Sequence, residues 1–414
     1  MLMAAFAAPL GNDHQLMTGV PPFPAAALVT LANWQDPPFN RWAFQHVREL
    51  IPTARISRGD GKPSRLPHAE RDISALTFRS GGRELTVAEM LAETYTDGFL
   101  VLHRGKIVTE QYFNGMGPDT PHLLMSVSKS IVSTVAGILA GLGRLDVAEP
   151  VERIVPELAG TSFAGATVQH LLDMRAGTHF DESYDDPQSD VRRYERVYLW
   201  RPDGTERRPA DALEYYATLF NDGAHGGPFR YRSILTDVLG WVLEKAGGAR
   251  LHELIEELIW QPMGAEFDAE ITVDARGNAM ADGGICATLR DVARFGLLFA
   301  RGSRPSRGKL PRTVPPAWIR DTIVGAPDGP AAFVAAGDAP GFPAGAHYRN
   351  CWWVREPAVP FFHASGINGQ NVFVHVPSQT VVVKLSTWPT ALSLSIKMTI
   401  DATIAIAEAL AAGR

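Results

Sequence analysis

Features that mark several protein classes are scarce in this sequence of 414 residues. It holds only two cysteines, Cys286 and Cys351, which lie far apart and form no CxxC motif. Such usage is typical of free, buried thiols in a reducing compartment. The 12 histidines show no HxH or HxxxH spacing that would indicate a metal site. We therefore expect no metal and no cofactor.

Clustered positive charge and long apolar runs are missing too. The net charge is -6 and Lys and Arg are scattered, so we expect no basic surface for nucleic acid or anionic lipid. No apolar run approaches the ~18 to 20 residues that span a bilayer. Residues 1–8 resemble the apolar part of a signal peptide, but no basic residue precedes Arg41. We expect a cytoplasmic protein that binds neither nucleic acid nor membrane.

The remaining composition, 45% hydrophobic and 20% charged, is that of a globular protein with one large core or two lobes. Residues 1–70 are rich in proline, alanine and aromatic side chains. This predicts an extended lead-in that lies over the surface, with one helix near residues 42–51.

Strand patterns occur on either side of a long helical stretch. They comprise residues 98–103 and 106–113, and four segments between 347 and 387. Residues 151–282 read as helices with no clear strand pair. We therefore infer an α/β fold in which residues 71–150 and 283–414 form one lobe with an antiparallel sheet, and residues 151–282 form an inserted all-α lobe. The active site is expected between the lobes.

Ser126 and Lys129 open an apolar-periodic run that predicts a helix to about Leu142. At this spacing both side chains lie on one helix face. A serine hydroxyl needs a base to become a good nucleophile, and a lysine with a lowered pKa is one such base. The alternative is a helix-start serine beside a surface lysine. A second Ser-x-x-Lys pair, Ser306 and Lys309, lies among Gly and Pro residues that disfavour a helix.

Two later elements strengthen the catalytic interpretation. Tyr231-Arg-Ser233 opens an amphipathic helix, and Ala364-Ser-Gly366 lies in a predicted strand. Together with the Ser126 motif, and in this order, they resemble the serine β-lactamase and DD-peptidase-like hydrolases. The resemblance implies a β-lactamase-like fold and hydrolysis through an acyl-serine.

The resemblance also implies roles for individual residues. Tyr231 would move protons together with Lys129. The N–H groups of Ser126 and Ile367 would bind the oxyanion, and Gly366 would let the backbone come close to a ligand.

Two serines of the later motifs, Ser233 and Ser365, are candidate substrate contacts. A competing Tyr-x-Asn match, Tyr348 to Asn350, lies in a strand-like run rather than at a helix start. The sequence departs from the family where Ala364 replaces lysine, and the missing cation weakens the case for recognition of a β-lactam carboxylate.

Longer runs resemble a narrower branch, the 6-aminohexanoate-dimer hydrolases and their esterase relatives. These runs are NWQDPPFNRW at 33–42, HLLDMRAG at 170–177, TDVLGW at 236–241 and GGICATLRDVARFG at 283–296. The resemblance spans nearly the whole chain. It implies hydrolysis of linear amides and short-chain esters by a monomer or a homodimer.

An acidic loop provides a physical reason to expect a substrate of the kind that this family branch hydrolyses. Glu182, Asp185 and Asp186 surround Tyr184, so the loop could attract a substrate's terminal ammonium while Tyr184 donates to the scissile amide nitrogen, as the family's loop tyrosine does. A solvated acidic loop is the alternative. Asp282 resembles a polar residue that lines the family's site, and an ordinary turn residue is its alternative.

Three hypotheses follow from these patterns. The first is an amide or ester hydrolase, and the second is a promiscuous carboxylesterase or weak β-lactamase. The third, from another class, is a catalytically silent penicillin-binding-like module used for ligand binding.

Overall fold

The computed structural model describes residues 15–204, 209–302, 313–335, 337 and 341–413. The apolar start at residues 1–8 and the pair Ser306 and Lys309 lie outside the described residues. Within the described ranges, no helix is both long and apolar enough to cross a membrane.

The strands form two sheets and a hairpin. They are β1 Thr53–Ile56, β2 Thr77–Ser80, β3 Arg83–Thr86, β4 Thr96–His103, β5 Lys106–Tyr112, β6 His122–Leu123, β7 Ala269–Thr272, β8 Ile285–Ala287, β9 His347–Arg349, β10 Trp352–Glu356, β11 Phe361–Gly366, β12 Gln370–His375 and β13 Thr380–Ser386. The larger sheet has the order β5-β4-β13-β12-β11-β10-β9, the smaller one β1-β7-β8-β6, and β2 pairs with β3. All these pairs are antiparallel.

Helices cover the sheets and fill the middle of the chain. They are α1 Asn40–Ala43, α2 Val87–Glu93, α3 Val127–Gly141, α4 Val151–Ile154, α5 Val168–Leu172, α6 Asp190–Val197, α7 Ala212–Tyr216, α8 Ile234–Gly247, α9 Leu251–Ile255, α10 Leu289–Ala300, α11 Pro316–Val324, α12 Gly329–Ala335 and α13 Ser395–Ala411. Short 3-10 segments lie at Val47–Glu49, Pro156–Leu158 and Ile367–Gly369, and a π-helical turn lies at Glu256–Trp260.

The larger sheet separates two hydrophobic cores because successive side chains of a strand point to opposite faces. In β4, Phe99 and Val101 join the core that includes residues of α2 and α13. Leu100 and Leu102 join the core that includes residues of α3, α8 and α10. The middle of the sheet is therefore buried on both faces, which explains why the central strands β4 and β13 are almost fully buried along their length.

The smaller sheet corrects two expectations. Residues 151–282 are not all helical, because β7 lies at Ala269–Thr272 between β1 and β8. The lead-in is not merely extended over the surface either, since it supplies β1 and buries Trp34 and Phe44. β7 is only four residues long and one of its partners, β1, lies far earlier in the chain, so a local pattern could not reveal it.

Most other elements agree with their patterns, with two local differences. The helix expected near residues 42–51 is broken into α1 and the 3-10 turn Val47–Glu49. The strand run near 347–354 is split into β9 and β10 by Asn350 and Cys351, which adopt positive φ angles of 51° and 58°. Residues with positive φ reverse the chain rather than continue a strand.

Candidate active site

Ser126 lies at the start of α3, shortly after β6 of the smaller sheet. Leu124 donates its N–H to the carbonyl of Ile285 (2.8 Å), which ties the chain after β6 to β8. Met125 then takes a φ of 46°, and Ser126 forms the N-cap of α3. The Ser126 hydroxyl makes no capping hydrogen bond, so it is free to act on other groups.

Lys129 is the group that meets this hydroxyl. Its side chain is 1% exposed. Its Nζ donates to Ser126 Oγ (2.7 Å) and to the backbone carbonyl of Asp282 (2.8 Å), and lies 3.6 Å from Asp282 Oδ2. The predicted pairing of Ser126 with Lys129 is therefore present in the structure.

The charge on Lys129 differs from the sequence expectation. Burial by itself lowers the pKa of Lys129, but Tyr231 and three surrounding carboxyl groups outweigh burial and raise the pKa above the usual lysine value. The carboxyl groups belong to Asp282, Glu182 and Asp237. Lys129 is thus an ammonium at rest and not a free base.

Tyr231 lies against this pair. It lies three residues before α8, and its ring centroid is 5.2 Å from Lys129 Nζ. Burial raises the pKa of the Tyr231 phenol, and the opposing effects of the Lys129 charge and of Ser126 offset that rise only in part. Trp353 stacks on the ring at a centroid distance of 5.5 Å, which fixes its plane.

The end of β11 approaches the nucleophile very closely. A Cβ atom added to Gly366 would lie 2.7 Å from the carbonyl oxygen of Leu124 and 2.9 Å from the amide nitrogen of Ser126. Only glycine therefore fits there, and the next residue, Ile367, begins beside Ser126. Neither N–H, of Ser126 or of Ile367, is used in a turn or loop hydrogen bond among the described residues.

Ser365 is less directly placed. Its hydroxyl donates to Asn371 Oδ1 (2.7 Å) on β12, and no hydrogen bond to Ser126, Lys129 or Tyr231 was found within the described chain. It therefore stays a predicted substrate contact.

A second hydrogen-bonded group lies near Lys129 and is centred on Glu182. Glu182 accepts hydrogen bonds from the Tyr184 hydroxyl (2.5 Å), the Ser233 hydroxyl (2.6 Å) and the Ser233 N–H (2.7 Å). The Tyr184 hydroxyl is thus turned toward Glu182 rather than Ser126. Asp185 and Asp186, the other acidic residues of the loop, are exposed.

Asp282, a candidate from the sequence, lies directly against Lys129. Its N–H binds a residue that the sequence argument missed. Asp237 on α8 is 2% exposed and accepts the N–H of Asp282 through Oδ1 (3.0 Å). The sequence could have indicated Asp237, because it lies four residues after the candidate Ser233 and therefore on the same helix face.

Comparisons with known proteins identify the family of the chain. A family described as Beta-lactamase matches residues 86–398. The chain is 40% identical over 370 residues to the 6-aminohexanoate-dimer hydrolase of Paenarthrobacter ureafaciens, covering 89% of this chain and 90% of that protein. It is 33% identical over 156 residues to esterase EstB of Burkholderia gladioli, covering 36% and 38% of the two chains.

A solved structure supports the fold as well. A candidate 6-aminohexanoate-dimer hydrolase from Bacillus anthracis superposes with a TM-score of 0.83 at 27% identity, covering 94% of this chain and 98% of that one. The predicted α/β, β-lactamase-like fold is therefore confirmed. The chain belongs to the β-lactamase family.

Proposed function

We propose that this chain is a cofactor-free serine hydrolase that cleaves linear amides of the 6-aminohexanoate-oligomer type, or short-chain esters, through an acyl-serine. The observation that carries the proposal is the 2.7 Å hydrogen bond from Lys129 Nζ to Ser126 Oγ, made by a buried ammonium. The similarity to a 6-aminohexanoate-dimer hydrolase over 89% of the chain supports the substrate class.

The proposed acylation step passes one proton through Tyr231. Acylation starts from the form in which the Tyr231 phenol has lost its own proton to solvent and the Lys129 ammonium stabilises the phenolate. This phenolate takes the proton of the Ser126 hydroxyl as Oγ attacks the substrate carbonyl. Tyr231 then gives that proton to the leaving amine or alkoxide as the substrate's C–N or C–O bond breaks.

Deacylation repeats the same route with water. Tyr231 takes a proton from the water that attacks the acyl-serine, the ester bond to Ser126 breaks, and the proton returns to Ser126 Oγ. In both steps the N–H groups of Ser126 and Ile367 would hold the tetrahedral oxyanion, a contribution worth about 10² to 10³ in kcat for each donor.

The charges around the site favour an uncharged or cationic substrate over a β-lactam carboxylate. Glu182 and Asp282 add negative charge near Lys129, and Ala364 stands where the family has lysine. His363, the neighbouring residue, does not replace that cation because burial lowers its pKa well below the usual histidine value and keeps it neutral. A linear amide with a terminal ammonium fits these charges.

Ester hydrolysis is kept as a second candidate because of the similarity to esterase EstB. Turnover of p-nitrophenyl acetate, a chromogenic β-lactam and the linear 6-aminohexanoate dimer by one preparation separates the substrate classes. The proposal predicts turnover of the first and third, and β-lactam turnover faster than both would favour the weak β-lactamase.

The decisive experiment compares two serine-to-alanine variants on the same helix. Ser126→Ala removes the proposed nucleophile, whereas Ser130→Ala removes a buried hydroxyl that donates to the carbonyl of Cys351 (2.7 Å). Ser126→Ala should abolish ester hydrolysis and fluorophosphonate labelling, and Ser130→Ala should keep both. Retained turnover in folded Ser126→Ala rejects the proposal, and a wild type without an adduct on Ser126 favours the silent binding module.

Two further properties stay predictions from the sequence. A cytoplasmic location rests on cysteine usage, and both thiols are free and buried in the structure. A monomer or homodimer rests on the family resemblance.

A further inference from the structure

Asp237 is a buried carboxyl that the proposed proton route does not use. It lies on α8, one turn after Ser233, and is 2% exposed. Its Oδ1 accepts the N–H of Asp282 (3.0 Å). The side chain thus binds a peptide N–H group in the segment that leads into β8.

The segment that Asp237 binds also holds Lys129. The carbonyl of Asp282 accepts a hydrogen bond from Lys129 Nζ (2.8 Å), and Asp282 Oδ2 lies 3.6 Å from the same nitrogen. Any rotation of this segment would move both acceptors away from Lys129. The ammonium would then lose its second hydrogen bond and its hold on Ser126 Oγ.

Because of this chain of contacts, we propose that Asp237 is a positioning residue for the reaction proposed above: it fixes the backbone at 281–282 and thereby places Lys129 against Ser126 and Tyr231. Asp237 does not touch Lys129 through a hydrogen bond, so it acts through Asp282.

The surroundings of Asp237 favour its uncharged form. Burial, and then repulsion from Asp282, raise the pKa of Asp237 well above the usual aspartate value, and two adjacent buried carboxyl groups do not both ionise easily. Burial raises the pKa of Asp282 too, but Lys129, 3.6 Å from Asp282 Oδ2, opposes that rise. The other titratable groups that face Asp237 are Lys129 and three buried phenols, Tyr194, Tyr198 and Tyr216.

The experiment compares variants that keep or remove the acceptor. Asp237→Asn keeps an oxygen for the N–H of Asp282 and is always neutral, while Asp237→Ala removes that oxygen. Leu243→Ala is the control, because it truncates a fully buried residue further along α8 whose apolar side chain makes no hydrogen bond to residues 281–282. For each protein, kcat, KM and the pH profile are measured with p-nitrophenyl acetate, together with the rate of fluorophosphonate labelling of Ser126.

We expect Asp237→Ala to lower kcat by about 10- to 100-fold with little change in KM, since a displaced catalytic group costs this much. Asp237→Asn should stay within about threefold of wild type with an unchanged pH profile, and Leu243→Ala should keep kcat. Asp237→Asn decides the matter even if the alanine variant does not fold: a loss of more than tenfold in a folded protein overturns the proposal. Wild-type kcat in a folded Asp237→Ala would overturn it too.

These results are separable from the proposed function itself. A wild type that neither turns over the ester nor labels at Ser126 rejects the hydrolase. An active wild type whose folded Asp237→Ala matches it rejects only the positioning role.

Discussion

Gly366→Ala tests the oxyanion site with a single methyl group. The added Cβ would lie 2.7 Å from the Leu124 carbonyl oxygen, and 2.9 Å from both Met125 Cβ and the Ser126 nitrogen. Non-bonded carbon atoms settle at about 3.5 to 4.0 Å, so β11 and the Ser126 turn must separate by about 0.6 to 1 Å. The φ of Gly366 is -122°, which alanine adopts without strain, so the effect is one of space alone.

This separation should move one of the two N–H donors out of hydrogen-bond distance of the oxyanion. Loss of one oxyanion donor costs about 10² to 10³ in kcat, or about 2.7 to 4 kcal/mol. We therefore expect a fall of about 10² in kcat with p-nitrophenyl acetate, a smaller change in KM and a slower fluorophosphonate adduct on Ser126.

Gly283→Ala is the matched control, because it faces the same turn from the other side. A Cβ at Gly283 would lie 3.8 Å from the carbonyl carbon of Met125, an ordinary van der Waals distance, so kcat should change little. If Gly366→Ala kept kcat within threefold of wild type, or if both variants lost activity equally, the assignment of the oxyanion site to this approach would be wrong.

Three other substitutions test the charges of the site. Tyr231→Phe should lower kcat by about 10² to 10⁴, as for a general acid and base, and a loss under tenfold would contradict its role in proton transfer. Asp282→Asn removes a carboxylate 3.6 Å from Lys129 Nζ, so the pKa of Lys129 should fall by about 1 to 3 units and the loss of kcat/KM at high pH should move down accordingly; an unchanged basic limb would contradict this. Asp237 keeps a proton in the folded chain that the unfolded chain loses above about pH 4, so its stabilisation is full below that pH and is lost as pH rises through the raised folded pKa. Asp237→Asn should therefore gain stability over wild type as pH rises, by up to about 1.4 kcal/mol per unit, and a pH-independent difference in melting temperature would contradict it.

The larger sheet and its helices were predictable because their signals are local. β4 and β13 are largely apolar runs that end near turn residues, and the pairing of Thr288 with Asp291 at the start of α10 is a capping pattern whose hydrogen bond is present in the structure. The Ser126 to Lys129 pairing was predictable for the same reason, since one helical turn fixes it.

What escaped the sequence depends on contacts between distant segments. β7 is four residues long and is defined by its partners β1 and β8. The raised pKa of Lys129 arises from groups at positions 182, 231, 237 and 282, and a local reading had only burial to consider. The bond of Tyr184 to Glu182 likewise depends on where α8 begins, because Ser233 holds the same carboxylate.

The wide sequence separation among Ser126, Tyr231, Asp282 and Gly366 has a consequence during synthesis of the chain. A ribosome must release β11 before the Ser126 hydroxyl can meet the N–H of Ile367, the second proposed oxyanion donor. A nascent or proteolytically shortened fragment that ends before that point would lack this donor. Hydrolytic turnover would thus report that the chain has been made and folded at least through Ile367.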